Sequence, residues 1–239
     1  MGKMFKFTGI AEEVTWQPTD IAGCKLWLRE DAIYDGSKRE SQITDKSGNL
    51  NHVIQTTDDQ KPIYVENEID GCPVHLADGV DDEMTNSGYS ARNGIQGSTT
   101  VWIFKCLGAT GVPIMYANFG GALQWTGGNM NVYVASGVYG YFPFTDLTAY
   151  HRLLVVFDGT LTGDANRLKV WLDGVQQTLA FNGTIPSSYA TANGFVFGSL
   201  GGSNWANFKS PEYIDYAKAI SPTEKTLLDN YVEERYPSI

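Results

Sequence analysis

The segment Leu168-Lys-Val-Trp-Leu-Asp-Gly-Val-Gln-Gln-Thr-Leu179 constrains this chain more than any other. Residues 168–172 alternate apolar and polar positions, as a strand half buried against a core does. Asp173-Gly174 then supplies the positive backbone angles of a two-residue hairpin turn, and a second strand is expected over 175–179. The same grammar recurs along the chain. Residues 99–107 are rich in β-branched and aromatic side chains and end at Gly108. Further runs at 113–119, 122–125 and 131–135 are separated by Gly120-Gly121 and Gly127-Gly128, and 152–157 closes on Asp158-Gly159. Many short strands joined by tight turns predict an all-β sandwich.

The 239 residues, 42% of them hydrophobic, are enough for one large all-β domain with a real core. A formal charge of -10 with no basic patch excludes a nucleic-acid partner, since phosphate binding needs clustered Lys and Arg. No apolar run approaches the roughly 20 residues of a membrane helix, and no membrane partner is expected. Met1-Gly-Lys-Met-Phe-Lys-Phe7 lacks the apolar core of a signal peptide. Cys24, Cys72 and Cys106 are odd in number and show no C-x-x-C spacing, so they read as small apolar residues.

Two terminal segments stand apart. Residues 1–21 read as an N-terminal arm: Met4, Phe5, Phe7 and Ile10 are apolar, and a polar, proline-containing stretch follows them. The arm is expected to attach the protein to an assembly, leaving 22–239 as the folded body. At the other end Ser221-Pro-Thr-Glu224 is a capping box with proline at the first helical position. Leu227, Leu228, Tyr231 and Val232 predict an apolar helix face, and Pro237 ends the helix.

Several phrases in order carry a family resemblance. Lys25-Leu-Trp-Leu-Arg29 leads to Asp45-Lys-Ser-Gly-Asn-Leu-Asn-His52, then Pro62-Ile-Tyr64 and Ala77-Asp-Gly-Val-Asp-Asp82. His151 to Gly159, Leu168 to Val175, Gly194-Phe-Val-Phe-Gly-Ser199 and Tyr213 to Tyr236 continue the series. Together they resemble the concanavalin A-like lectin/glucanase superfamily, in the laminin-G-like branch found in bacterial and bacteriophage proteins. The resemblance implies a two-sheet antiparallel jelly-roll sandwich with a short C-terminal helix. It also puts Asp215 where that family's late strand carries a carboxylate.

The residues suggest little catalytic chemistry. The glucanases of the superfamily hold acid and nucleophile about 5–5.5 Å apart on one strand face. Glu66-Asn-Glu68-Ile-Asp70 comes nearest but falls in a predicted turn before Gly71, and Glu212 and Asp215 have the wrong period for one face. His52, His75 and His151 read as turn and strand residues. No catalytic residue is assigned, and the chain is expected not to be an enzyme.

Two kinds of binding residue remain. Asp45, Ser47, Asn49 and Asn51 alternate like a calcium loop, but Leu50 and Thr56 stand where glycine and glutamate belong, so an Asx-type turn is expected. The denser group Asp78, Asp81, Asp82 and Glu83 is the metal candidate, for calcium near Asp78, Asp81 and Asp82, against a reading in which Asp78 and Asp81 only hold a turn; no other cofactor is expected. For carbohydrate, Trp125 and Asn129 in one glycine-rich segment and Asn204, Trp205 and Asn207 in another combine aromatic faces with planar amides.

The expected function is that of a non-enzymatic, virion-associated structural protein of a bacteriophage: a capsid accessory (decoration) subunit or a fibre component. Its partners would be other virion proteins, further copies of itself and host-surface glycans. It would be made in the host cytoplasm and carried in the virion. A stand-alone carbohydrate-binding lectin module is the alternative, and a glycan-active enzyme with an unrecognised site is a further one.

Overall fold

The computed structural model describes residues 16–117, 120–191 and 193–239. Met4, Phe5, Phe7 and Ile10 therefore lie outside the described residues. Two antiparallel layers face each other. The first layer runs, edge to edge, β4 (Ile63–Ile69), β5 (Cys72–Asp78), β17 (Asn207–Tyr216), β7 (Gly97–Cys106), β12 (His151–Asp158), β13 (Leu168–Leu172) and β14 (Val175–Gln176). β17 shares one edge between two partners: its first half takes β5 and its second half takes β1 (Cys24–Tyr34). The second layer is β3 (Val53–Ile54), β6 (Met84–Asn86), β16 (Phe195–Phe197), β8 (Gly111–Tyr116), β9 (Gly121–Thr126), β10 (Asn129–Ala135), β11 (Val138–Pro143) and β15 (Ala180–Asn182). β2 (Glu40–Asp45) pairs with both β1 and β3 and so links the layers along one side.

The alternation of strand side chains sorts the apolar residues into two clusters. Inward positions such as Trp102, Phe104, Leu153, Phe157, Val132 and Phe208 fill the space between the layers. The alternate positions of the first layer, among them Val101, Ile103, Leu154 and Ile214, pack against Leu228, Tyr231 and Val232 of the C-terminal helix. That helix spans Pro222–Arg235; after the one-turn α1 (Asp164–Arg167) it is α2. Its capping box forms as expected. Leu227 does not join the buried face and is 37% exposed. At 100° per residue it points about 90° from the centre of the face made by Leu228, Tyr231 and Val232.

The Asx-type turn also forms. Asp45 Oδ1 accepts from the amides of Trp27 (2.9 Å) and Ser47 (2.8 Å), and Oδ2 accepts from the amide of Asn51 (2.8 Å).

Three local expectations differ. The second hairpin strand is only Val175–Gln176, because the chain then crosses to the second layer and pairs as β15 with β11. Glu66 and Glu68 lie in β4 rather than in a turn. An irregularity there, with Asn67 at φ 52, breaks the strand face, and the turn falls at Asp70-Gly71. The body also begins before residue 22: Trp16 packs on Tyr231 with ring centroids 6.0 Å apart, Tyr216 donates to the Pro18 carbonyl, and Ile21 is buried.

Candidate functional site: an uncharged tyrosine face

The two layers present different outer surfaces. That of the first layer carries α2. That of the second is built by β8, β9, β10, β11 and β15, whose sequences contain no charged residue. Since 18% of the chain is charged, this is a marked local departure. In β10 the inward side chains are Met130, Val132 and Val134, so Asn129, Asn131 and Tyr133 lie on the outer side, Asn131 buried at 6% exposure beneath its neighbours. Leu123 and Trp125 point inward from β9, leaving Ala122 and Gln124 outside; Phe142 points inward from β11, leaving Tyr139 and Tyr141 outside.

Strand register joins these positions into rows. Met115 faces Ala122, Ala122 faces Tyr133, Tyr133 faces Tyr139, and Tyr139 faces Asn182. In the adjacent row Gln124 faces Asn131, which faces Tyr141. The rings of Tyr133 and Tyr139 lie 4.6 Å apart, and those of Tyr139 and Tyr141 5.8 Å apart. Gln124 Oε1 accepts from Tyr133 Oη (2.9 Å) and from Asn131 Nδ2 (3.4 Å), which holds ring and amides in fixed orientation. Burial, and then the neighbouring Tyr139, push the Tyr133 phenol above its ordinary value, so it remains a neutral donor near pH 7. Beside the rows, Leu200 overhangs a cleft of about 130 Å³ lined by Val112, Met115, Ala122, Gln124 and Tyr133. Aromatic faces with planar amides and no charge suit a neutral, hydroxyl-rich ligand with apolar C–H faces.

The carbohydrate residues expected from sequence lie elsewhere. Trp125 is 2% exposed: it faces inward, stacks near Trp102 at 6.3 Å, and donates its indole N–H to the Gly108 carbonyl at 2.9 Å. It is a core residue and cannot meet a sugar. Asn129 starts β10, with its amide turned onto the Gly127 carbonyl. Asn204 is exposed at φ 50, but its carbonyl is used by the Val112 amide. Trp205 is half buried, and its shielded indole N–H has no acceptor. Asn207 opens β17, and its carbonyl receives the amides of Leu107 and Gly108. The structure thus gathers most of this group around the 107–111 turn through backbone groups, with no shared aromatic surface.

Reading the segments for tryptophan missed the tyrosine face. Two signals point to it: residues 106–145 contain no Asp, Glu, Lys or Arg, and Asn129, Asn131 and Tyr133 share a period of two.

The acidic group is assembled, with carboxylate oxygens of Asp78, Asp81 and Asp82 within 4.8 Å of one another. Asp82 Oδ2 accepts the Asp78 amide (2.9 Å), and Asp78 Oδ1 accepts the Val80 amide (2.7 Å). These bonds account for the phrase as turn chemistry. The other carboxylates weighed for catalysis are engaged apart. Glu66 pairs with Lys38 and Glu68 with Lys209. Glu212 lies under α2, accepting from Trp27 Nε1 (2.5 Å), Tyr231 Oη (2.7 Å) and Tyr236 Oη (2.9 Å). Asp215 is in the interior with Arg92. His75 is buried against Glu40 at 2.6 Å, His151 meets Asp173 at 2.8 Å, and His52 accepts the Asp45 amide.

No protein-family model matches the chain, and a search of curated proteins finds no match. Solved structures do share the fold. A sialidase from Trypanosoma rangeli in complex with sialic acid superposes with a TM-score of 0.61 at 12% identity, over 87% of this chain and 33% of that one. The ligand-binding domain of botulinum neurotoxin serotype D, in complex with N-acetylneuraminic acid, gives 0.58 at 12% identity over 87% and 51%. A botulinum neurotoxin type C structure, whose cell entry is described as dependent on two ganglioside molecules, gives 0.58 at 11% over 90% and 52%. This chain therefore spans about a third to a half of these proteins. At such identity the likeness shows the fold alone: a two-layer antiparallel β-sandwich.

Proposed function

We propose that this protein is a carbohydrate-binding module whose contact surface is the open face of the second layer. The observation that carries this reading is the uncharged, hydrogen-bonded array of Tyr133, Tyr139, Tyr141, Gln124 and Asn131. The binding of sialic acid and gangliosides by proteins of the same fold supports glycan recognition as the kind of function. The reading includes no hydrolysis, because β8–β11 and β15 offer no carboxylate that could act as acid or nucleophile. A virion role draws no support from these likenesses, and the apolar arm residues Met4, Phe5, Phe7 and Ile10 that motivated it lie outside the described residues. Flanking capsid or portal genes would be the observation to revive that role.

A glycan array followed by titration of the best ligand tests the proposal. Tyr139→Ala and Tyr141→Ala should each weaken binding about three- to tenfold, the weight of one aromatic contact, with melting temperature retained. Binding that survives both substitutions, or that disappears only with Asn204→Ala, would move the site off this face.

A further inference from the structure

The helix does not cover the whole outer surface of the first layer. Between the start of α2 and strands β12–β14 lies a cleft of about 230 Å³. Its floor is Trp171, which faces out from β13. Lys169 stands on the same side two residues earlier, opposite Val156, and Gln176 of β14 is paired with Trp171. Ile220, Ser221, Pro222 and Lys225 form the far wall, and Lys225 Nζ sits 5.2 Å from the centre of the Trp171 ring.

Lys38, Lys46, Lys61, Lys209, Lys218 and Lys225 each pair with a carboxylate. Lys169 lines the cleft and, like Lys25 and Lys105, has no such partner among the described residues, although the chain carries a net charge of -10. The one carboxylate in the lining, Asp158, uses its Oδ1 in its own turn, accepting from the Thr160 amide (3.1 Å) and hydroxyl (2.5 Å), and makes no ion pair with Lys169. Ser221 is likewise committed, to the helix cap. An indole floor, the Lys169 ammonium, the Lys225 ammonium held by Asp229 and the Gln176 amide therefore line one small space.

These groups select a ligand with a flat C–H face for the indole and an anionic group for Lys169. The volume is below the about 300–1,000 Å³ of pockets that enclose drug-sized ligands, so it suits one ring and not a chain. We propose that Lys169, Trp171, Gln176 and Lys225 bind the carboxylate-bearing ring of an acidic monosaccharide. The site lies on the opposite side of the sandwich from the tyrosine face and stands or falls independently of it.

The probe is D-glucuronate, with D-glucose and acetate as controls at matched ionic strength. The readout is the Trp171 indole N–H resonance, assigned by its loss in Trp171→Phe. Glucuronate should shift this resonance saturably, and neither control should. Lys169→Ala should weaken the response about two- to fivefold, as expected for one solvent-facing charge pair, and added salt should weaken it further. Because Lys169 has no ionic partner, that variant should keep the parent melting temperature. An equal response to glucose removes the role of charge. A full response to acetate removes the role of the ring. An unmoved resonance, or an unchanged titration in Lys169→Ala, overturns the site.

Discussion

Arg92 Nη2 lies 2.6 Å from Asp215 Oδ1 inside the sandwich, with the two side chains only 5% and 0% exposed. Burial alone would lower the pKa of the guanidinium, but Asp215 outweighs it and holds Arg92 cationic. Tyr89 donates to the other Asp215 oxygen at 2.5 Å, and the Tyr116 ring lies 3.7 Å beneath the guanidinium. The carboxylate that the family resemblance placed on this strand thus serves an internal ion pair. Asp215→Ala would strand a buried cation and should cost about 3–5 kcal/mol in chemical denaturation. Replacing both residues, as Arg92→Met with Asp215→Leu, should recover much of that loss. A single-variant cost below about 1 kcal/mol would mean that water reaches the pair.

The helix cap gives a smaller and more local effect. Ser221 Oγ accepts the Glu224 amide at 3.3 Å, and Glu224 Oε2 accepts the Ser221 amide at 2.8 Å. Ser221→Ala should remove about 0.5–2 kcal/mol, measured as a lower urea midpoint at unchanged slope. An unchanged midpoint would show that α2 contributes little to global stability.

Gly159 is fixed by a close approach between loops. Its amide donates to the Gln96 carbonyl at 2.6 Å, and a Cβ at this position would overlap the Ser187 backbone carbonyl. Backbone cannot rotate aside as a side chain can, so Gly159→Ala should cost about 1–3 kcal/mol or more. Gly36→Ala, with open space around it, is the matched control and should be nearly neutral. Equal melting temperatures for the two variants would refute the packing argument.

Asp82 introduces a pH dependence. Its burial, opposed by the bond from the Asp78 amide and reinforced by the charges of Asp78 and Asp81, pushes it up to about 6. The unfolded value is near 3.9, so between about pH 4 and 6 the folded state binds more protons than the unfolded state. The contribution of Asp82 to stability therefore falls as pH rises through that window. Asp82→Asn keeps an acceptor for the Asp78 amide and removes the charge. It should be more stable than the parent above pH 6, by about 1 kcal/mol after solvent screening, with the advantage vanishing near pH 4. Parallel melting curves across this range would contradict the assignment.

The elements legible in the sequence are those that depend on neighbours along the chain. Leu168 to Gly174 announces a strand and its turn by period and by a dipeptide, and Ser221 to Glu224 announces a helix by its cap. The face of a side chain is harder to read, because it depends on the pairing register. Trp125 shows this: its period with Leu123 already put it on the apolar side of β9, yet the surrounding glycines suggested an exposed loop. Tyr133 and Tyr139 are brought together only when β10 and β11 pair. The fate of the strand after Gln176 was equally hidden, since a change of layer leaves no local mark in 177–179.

Trp16 and Ile239 both pack into the cluster beneath α2. The described chain thus enters and leaves the body on one side, while the tyrosines occupy the other. A support gripping the protein by a tag placed after Ile239 would leave Tyr133, Tyr139 and Tyr141 directed away from it. Among the described residues the two chain ends and the tyrosine face therefore lie on opposite sides of the sandwich. Display of many copies on a bead or a particle would array the tyrosine faces toward solution without further engineering.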